Sequence, residues 1–331
     1  GPPGSVGDST AVATDDPDDF DSDYDKKGMS IRSSLMEESR SLEHFLNHKR
    51  SLPDQCEMCM RGKTKRMPRR RGAFKRDPTK FGETGTIDHV VMKDWMGLPG
   101  VGGYNDALNY IDIFSQFKVC IPVKKKDTFE TFTALNHIKG KDKLDNIYSD
   151  NWEALKKAVR GIRATWEGSQ PGVHKSNAII ERCNQDILYG SRTLLGQAGL
   201  PGCFWVYAAP YYCHIENILE DSDGNSAWKA RHGSSFDGRA IPFGCGVFFL
   251  PSPTHYTNDK TIPAMSYGIF LGYRFAPGGK WNKEYICADL DTFINIPLDA
   301  EAASTECYIT PHITEQVRLG ERGICFPLKP S

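Results

Sequence analysis

Apolar and polar positions alternate along this chain with two periods, and the period switches repeatedly. TGTIDHVVM reads as a strand with β-branched residues around Asp88. ALNYIDIFSQFKVCIPVKK reads as two more strands joined by a tight turn near Ser115–Gln116. DTFETFTALNHIKG (127–140) has helical spacing, with Asp127 to cap it and Gly140 to end it. NIYSD (146–150) predicts a short strand, NWEALKKAVRGI a helix and ATWEG a fifth strand. A long helical pattern runs from Ser176 to about Gln197 and stops at LGQAGLPG, where Gly and Pro stand in the expected places. An aromatic-rich helix is expected over about 202–219. The order strand, strand, strand, helix, strand, helix, strand, helix is a mixed α/β layout. After about residue 240, CGVFFL, YGIFLGYR and KEYICADL are separated by Gly/Pro turns and predict a small β-barrel or sheet. Near the start, SLMEESRSLEHFLNHKR (34–50) predicts one helix through Leu35, Leu42, Phe45 and Leu46, broken at Pro53.

Composition adds two segments to this picture. At 331 residues, 39% hydrophobic, the chain has room for two or three modest domains. The net charge of -1 hides a strong asymmetry. Residues 1–33 hold Asp8, Asp15, Asp16, Asp18, Asp19, Asp21, Asp23 and Asp25 and few large hydrophobes; too little apolar surface is available there to offset ordering entropy, so disorder is expected. Residues 61–80 hold Arg61, Lys63, Lys65, Arg66, Arg69, Arg70, Arg71, Lys75, Arg76 and Lys80 against the single Asp77. Such a run is spaced to neutralise phosphates without sequence choice, and read alone it is equally a localisation signal or a solvated stretch. No apolar run of 18 or more residues is present, so no transmembrane helix is expected, and no basic-then-apolar leader marks a secreted chain. The chain starts at Gly1, which suggests a processed segment.

Ten cysteines are scattered, and only Cys56 and Cys59 are closely paired, a pattern that fits a reducing compartment with one metal knuckle. His44, His48, Cys56 and Cys59 form H-x3-H-x7-C-x2-C. His at i and i+4 can present two imidazoles from one helix face, and Cys-x-x-Cys is a common turn for two thiolates on one Zn²⁺. The bland alternative is two helix histidines and two free thiols. Three acids stand in suggestive places: Asp88 mid-strand, Asp150 at a strand's end and Glu181 on a helix. Carboxylates converging from such elements could hold two hard divalent cations that activate a nucleophile and stabilise a leaving oxygen. Asn177, Glu181 and Asn184, at i, i+4 and i+7, share one helix face and could line a groove beside them. Each acid alone is more often a turn or edge residue.

GTIDHVV, YIDIFSQFKVCIPVK, IYSDN and SNAIIERCNQDIL, in this order, closely resemble the catalytic core of retroelement integrases. The SAWKARHG, IPFGCGVFFLPSPT, YGIFLGYRFAPGGKW and EYICADL segments resemble the region after the core in copia-type polyproteins, and the resemblance spans about residues 40–290. It implies an RNase H-like core, a mixed five-stranded sheet flanked by helices, with a small N-terminal zinc-binding helical unit and a C-terminal β-rich domain. By this resemblance Asp88, Asp150 and Glu181 match the catalytic triad that binds two Mg²⁺ (or Mn²⁺) ions. Asn177 and Asn184 match helix positions that contact DNA, and Asp112 falls outside the triad and is read as structural. Two positions depart from the pattern: Ala178 replaces the common Gly, and Trp152 follows SDN where Gly is more usual.

The expected layout is a disordered acidic tail (1–33), a His-His-Cys-Cys zinc unit (34–62), a basic linker (63–82), the catalytic core (83–222), a β-rich domain (223–300) and a tail (301–331). The implied function is 3′-end processing and strand transfer of element DNA into target DNA by a homo-oligomer. It would act in the nucleus after a cytoplasmic particle stage, with no membrane involved. The alternative is a catalytically decayed or domesticated nucleic-acid-binding derivative; a nuclease of the same superfamily, limited to hydrolysis, is a third possibility.

Overall fold

Residues along Thr84–Val91 (β1) point alternately to two sides of a sheet, and the two sides bury different things. Ile87 is fully buried against one layer, and Asp88, its neighbour, faces the other. The computed structural model describes residues 31–49, 55–63, 77–93, 96–168, 178–252, 261–299, 302–321 and 323–329. β1 is the middle strand of five. Asp106–Asp112 (β2) and Lys118–Val123 (β3) continue the sheet antiparallel on one side. Asn146–Ser149 (β4) and Thr165–Gly168 (β5) continue it parallel on the other, giving the order β3-β2-β1-β4-β5. Each crossover in the parallel half is a helix: Thr128–Lys139 (α4) between β3 and β4, and Glu153–Gly161 (α5) between β4 and β5. This is the RNase H-like arrangement, with all five predicted strands in place.

The helices form for local reasons that the sequence announces. Asp127 accepts a hydrogen bond from the Glu130 N–H at 2.8 Å and starts α4, and Gly140 ends it at φ 55°. Thr131, Ala134, Leu135 and Ile138 recur at helical spacing and bury against Ile87, Leu108 and Ile147 of the sheet. On the other face lie Ala178–Ala198 (α6) and Trp205–Ile218 (α7), the latter preceded by a 3₁₀ turn at Gly202–Phe204. Gly190 lets these two helices touch: a Cβ there would stand 2.2 Å from the ring of Tyr212, which is itself buried. The aromatics of α7 lie in or against the hydrophobic core.

Asp112 closes β2. Its carboxylate accepts from Gly82 N–H, Ser115 N–H and Ser115 Oγ, each at 2.8 Å, and so ties the β2–β3 turn to the entry of β1. The structural role read for it is the one it has.

A second sheet packs beyond α7. Gly246–Phe249 (β6), Ser266–Ala276 (β7) and Lys280–Asp289 (β8) are the three predicted strands, and the order is β10-β6-β7-β8-β9. The outer pair, His312–Thr314 (β9) and Val317–Leu319 (β10), comes from the segment expected to be a tail. These strands lie at opposite edges although only Glu315 and Gln316 separate them. Five flat strands would put the edges about 19 Å apart, and two residues cannot bridge that distance. The sheet therefore curls toward a barrel, and a boundary at 300 would cut it. Ala227–His232 (α8) and the β7–β8 turn fasten this unit to the core: Gly278 N–H donates to His137 O at 2.7 Å, beside Gly140.

The N-terminal region departs from expectation in detail. It is not one helix but two, Ile31–Glu38 (α1) and Leu42–Asn47 (α2), with Ser41 capping the second. His48 lies past the end of α2, left-handed at φ 57°, so the two histidines do not share one helix face. A third helix, Glu57–Lys63 (α3), packs along α6. The acidic tail before residue 31 and most of the basic linker lie outside the described residues.

Gly190→Ala tests the α6–α7 contact. Helix propensity favours Ala by about 1 kcal/mol, but a methyl has no room against Tyr212, and overpacking costs about 1–3 kcal/mol. The variant is expected to unfold at lower denaturant concentration than wild type.

Candidate active site and metal centre

Parallel pairing of β1 with β4 sets Thr84 opposite Asn146 and Thr86 opposite Tyr148. Carried two residues further, the same register places Asp88 opposite Asp150, on one face of the sheet, about one strand spacing of 4.8 Å apart. In the antiparallel direction Asp88 pairs with Asn109. Asn184 comes down from α6 onto this row. Its amide donates to Asp88 Oδ2 at 2.8 Å and accepts from Asn109 Nδ2 at 2.8 Å. Its side chain is thus engaged below the surface rather than lining a groove. Asp88 Oδ1 takes the His89 N–H at 2.8 Å.

The electrostatics of the row are unbalanced. Burial, followed by the like charge of Asp150, pushes the Asp88 carboxyl up to about 6, and the hydrogen bond from Asn184 only partly opposes this. Asp150 Oδ1 is buried without a hydrogen-bond partner. A buried acceptor left unpaired next to a second carboxylate suits a hard divalent cation. Glu181 is exposed in the first turn of α6, one turn before Asn184. Among the described residues, the three acids are not gathered as a group at metal-ligand distance. Asn177 lies outside the described residues.

The backbone that carries Asp150 is held from below. Trp166 Nε1–H donates to Ser149 Oγ at 3.0 Å, and Ser149 Oγ–H donates to Asp150 O at 2.9 Å. Nothing in the strand pattern pointed to this pair, because the contact crosses from β5 to β4.

The second candidate centre is gathered more tightly. One ligand atom from each of His44, His48, Cys56 and Cys59 lies within 4.8 Å of the others. Cys56 Sγ is 3.6 Å from His48 Nδ1, and Cys59 Sγ is 3.8 Å from His44 Nε2 and from His48 Nδ1. A tetrahedral zinc site with bonds near 2.3 Å to sulfur and 2.0 Å to nitrogen has S···N edges of about 3.5 Å. His44 Nδ1–H donates to Lys49 O at 3.1 Å, which turns Nε2 toward the thiols. The Cys59 N–H donates to Cys56 Sγ at 3.5 Å. Hydrogen bonding to Cys59, then to the two histidines, holds the Cys56 thiol well below its ordinary range, and burial lowers His48. Thiolates and imidazoles in this arrangement are a donor set that suits zinc. The left-handed turn at His48 is what brings Nδ1 inward, so the ligand set read from the sequence is kept on a different backbone.

Of the candidate basic residues, Arg61 is exposed and pairs with Glu57 at 3.2 Å, and Lys63 donates to His48 O. Lys65, Arg66, Arg69, Arg70, Arg71, Lys75 and Arg76 lie outside the described residues. No helix among the described residues is long and apolar enough to cross a membrane.

No family model matches the sequence. It is 24% identical over 290 residues to the retrovirus-related Pol polyprotein from transposon RE1 of Arabidopsis thaliana, a match covering 82% of this chain and 17% of that protein. It is 28% identical over 196 residues to the corresponding polyprotein from transposon TNT 1-94 of Nicotiana tabacum, covering 54% of this chain and 14% of that one. The chain thus spans about a sixth of the length of the curated relatives it matches. Among solved structures, the HTLV-2 integrase catalytic core domain in complex with magnesium covers 46% of this chain and 98% of its own, at 19% identity and a TM-score of 0.35. The BIV integrase catalytic core domain covers 45% and 92%, at 10% identity and a TM-score of 0.35.

Two measurements check the site. Asp150→Asn removes the like charge, so Asp88 should titrate below its value of about 6 in a carboxyl NMR titration. The sign for stability follows: a carboxyl raised in the folded state weakens the fold as pH rises from about 4 to 6, and the variant should lose part of that dependence. For the second centre, metal analysis should find one zinc per chain. Cys59→Ser should lose most of it, and amide exchange should rise across residues 42–49 and 55–63.

Proposed function

We propose that this chain, a relative of copia-type retrotransposon Pol polyproteins, is an integrase segment that trims element DNA ends and joins them to target DNA. The observation that carries this reading is the Asp88–Asp150 pair: two carboxylates set side by side at the centre of an RNase H-like sheet, one raised to about 6 and one with a buried unpaired oxygen. That arrangement is costly for a fold unless a cation relieves it.

In this reading Asp88 and Asp150 hold the divalent ions, and Glu181 from the first turn of α6 is the third ligand. Two Mg²⁺ or Mn²⁺ ions bound there would lower the pKa of an attacking water or 3′-hydroxyl and offset charge on the leaving oxygen. The protein's own task is positioning. Asn184 and Asn109 fix the Asp88 carboxylate, and Ser149 and Trp166 fix the turn at Asp150. The basic residues from Arg61 to Arg76 neutralise phosphates of DNA, and the helix that holds Arg61 and Lys63, α3, packs on α6. Joining two ends calls for a homo-oligomer, and joining them to chromosomal DNA places the work in the nucleus.

A second reading is a non-catalytic DNA-binding derivative, favoured because Asp88, Asp150 and Glu181 are not gathered as a metal-ligand group among the described residues. One assay separates them. Purified protein, supercoiled plasmid and a short duplex are incubated with Mg²⁺ or Mn²⁺. Wild type should yield joined products, and Asp150→Asn should lower joining at least about a hundredfold while binding DNA as before. Equal joining by the variant would sink the site assignment, and cleavage without joining would favour a nuclease.

A further inference from the structure

Trp152 and Lys126 do not belong to the Asp88–Asp150 pair but lie near it, Trp152 next along the chain after Asn151 and Lys126 close enough for its charge to act on Asp88. Trp152 follows Asp150 by two residues and is the residue that opens α5. Its indole meets the ring of His89 edge-on, with centroids 5.3 Å apart and planes at 80°. His89 is buried, and its Nε2 lies 3.3 Å from Thr131 Oγ1 of α4, so the support behind the indole is fixed. The rest of the indole is open: Trp152 is 38% exposed. Isolated exposed aromatics are ordinary on a surface; this one is braced from behind and sits two residues from a carboxylate of the candidate site.

Lys126 precedes the cap of α4. Its ammonium lies 3.6 Å from Asp106 at the start of β2, and its charge is felt at both Asp88 and His89. Lys124 and Lys125, just before it, are exposed. The aromatic face thus meets His89, and the charge of Lys126 reaches both His89 and its neighbour Asp88.

We propose that Trp152 and Lys126 form a nucleotide-binding step beside the acid pair, the indole stacking on one base and the ammonium holding the adjoining phosphate. The proposal rests on the reading that the substrate is DNA and adds residues that contact it. A π-face accepts any base, so this contact gives affinity and alignment without sequence choice. A base held on Trp152 would fix the phosphate beside it relative to Asp88 and Asp150.

The test is anisotropy of a labelled single-stranded 12-mer of mixed sequence, titrated with zinc-loaded protein in magnesium-free buffer across a salt series. Trp152→Ala should bind at least about fivefold more weakly, the low end of one lost base stack. Trp152→Phe, which keeps a ring, should stay within about twofold of wild type. Lys126→Gln should flatten the slope of log affinity against log salt by about 0.7, one single-strand phosphate contact. Unfolding midpoints confirm that each variant is folded. Binding by Trp152→Ala within twofold of wild type overturns the proposal, as does Trp152→Phe binding as weakly as Ala. A wild-type protein that binds no DNA removes the integrase reading itself and this step with it. Wild-type binding that is indifferent to Trp152 removes only this step.

Discussion

Two parallel strands fix which residues stand side by side, and the β1–β4 register, with Thr86 opposite Tyr148, runs on toward Asp88 in one strand and Asp150 just past the end of the other. The chain between them, from β2 through α4, has to leave and return for this to happen. Its three structural requirements are met locally: the Asp112 carboxylate locks the β2–β3 turn, Asp127 starts α4 and Gly140 ends it. The apolar face of the sheet is then covered by α4 and α5, and the opposite face, with the acids, lies against α6. An acid pair on a sheet face costs stability when both groups ionise, so the amides of Asn109 and Asn184 next to it limit that cost without cancelling it.

The His-Cys unit of α1–α3 is built onto this frame. Gly62 of α3 has no room for a side chain because Thr193 Oγ1 would be 2.4 Å from its Cβ, and Met58 lies against Gly196 one turn further along α6. Polar contacts complete the seat. Lys118 of β3 bonds Asp186 of α6 at 2.6 Å and lies 3.4 Å from Glu216 of α7; Glu216 also takes Lys49 and the Asn47 amide. Burial alone would raise Asp186, but Lys118 and Lys49 hold it below the usual carboxylate range. The unit is thus locked to the same helix that presents Asn184 and Glu181, so the metal centre and the acid row share one support.

The curled second sheet uses α7 as its floor. Tyr211 of α7 stacks on Tyr273 at 6.2 Å and donates to Ile241 O at 2.8 Å, while His214 sits among Trp228, Phe236, Tyr273 and Phe275. Burial pushes His214 down to about 3, so it stays neutral and acts as a packing ring. α7 therefore has no free face: one side belongs to α6 and the edge of β3, where Asn217 brackets Lys118 with bonds of 2.8 and 2.7 Å, and the other to the second sheet.

Periodicity and capping determined much of this protein before any folding was considered. Strand alternation around Asp88, the Asp127 and Gly140 signals and the Gly/Pro stop after α6 are local properties of backbone and side chain, and local properties are written in sequence. The four histidines and cysteines that gather near the N-terminus were legible for the same reason, as residue types at short spacing. What tertiary structure decided depends on partners distant in the chain. It turned His48 out of the helix, sent Asn184 inward to Asp88 and drew residues 312–319 to both edges of the second sheet. No local pattern encodes these outcomes, because each is set by which surface arrives opposite once the sheets and helices have packed.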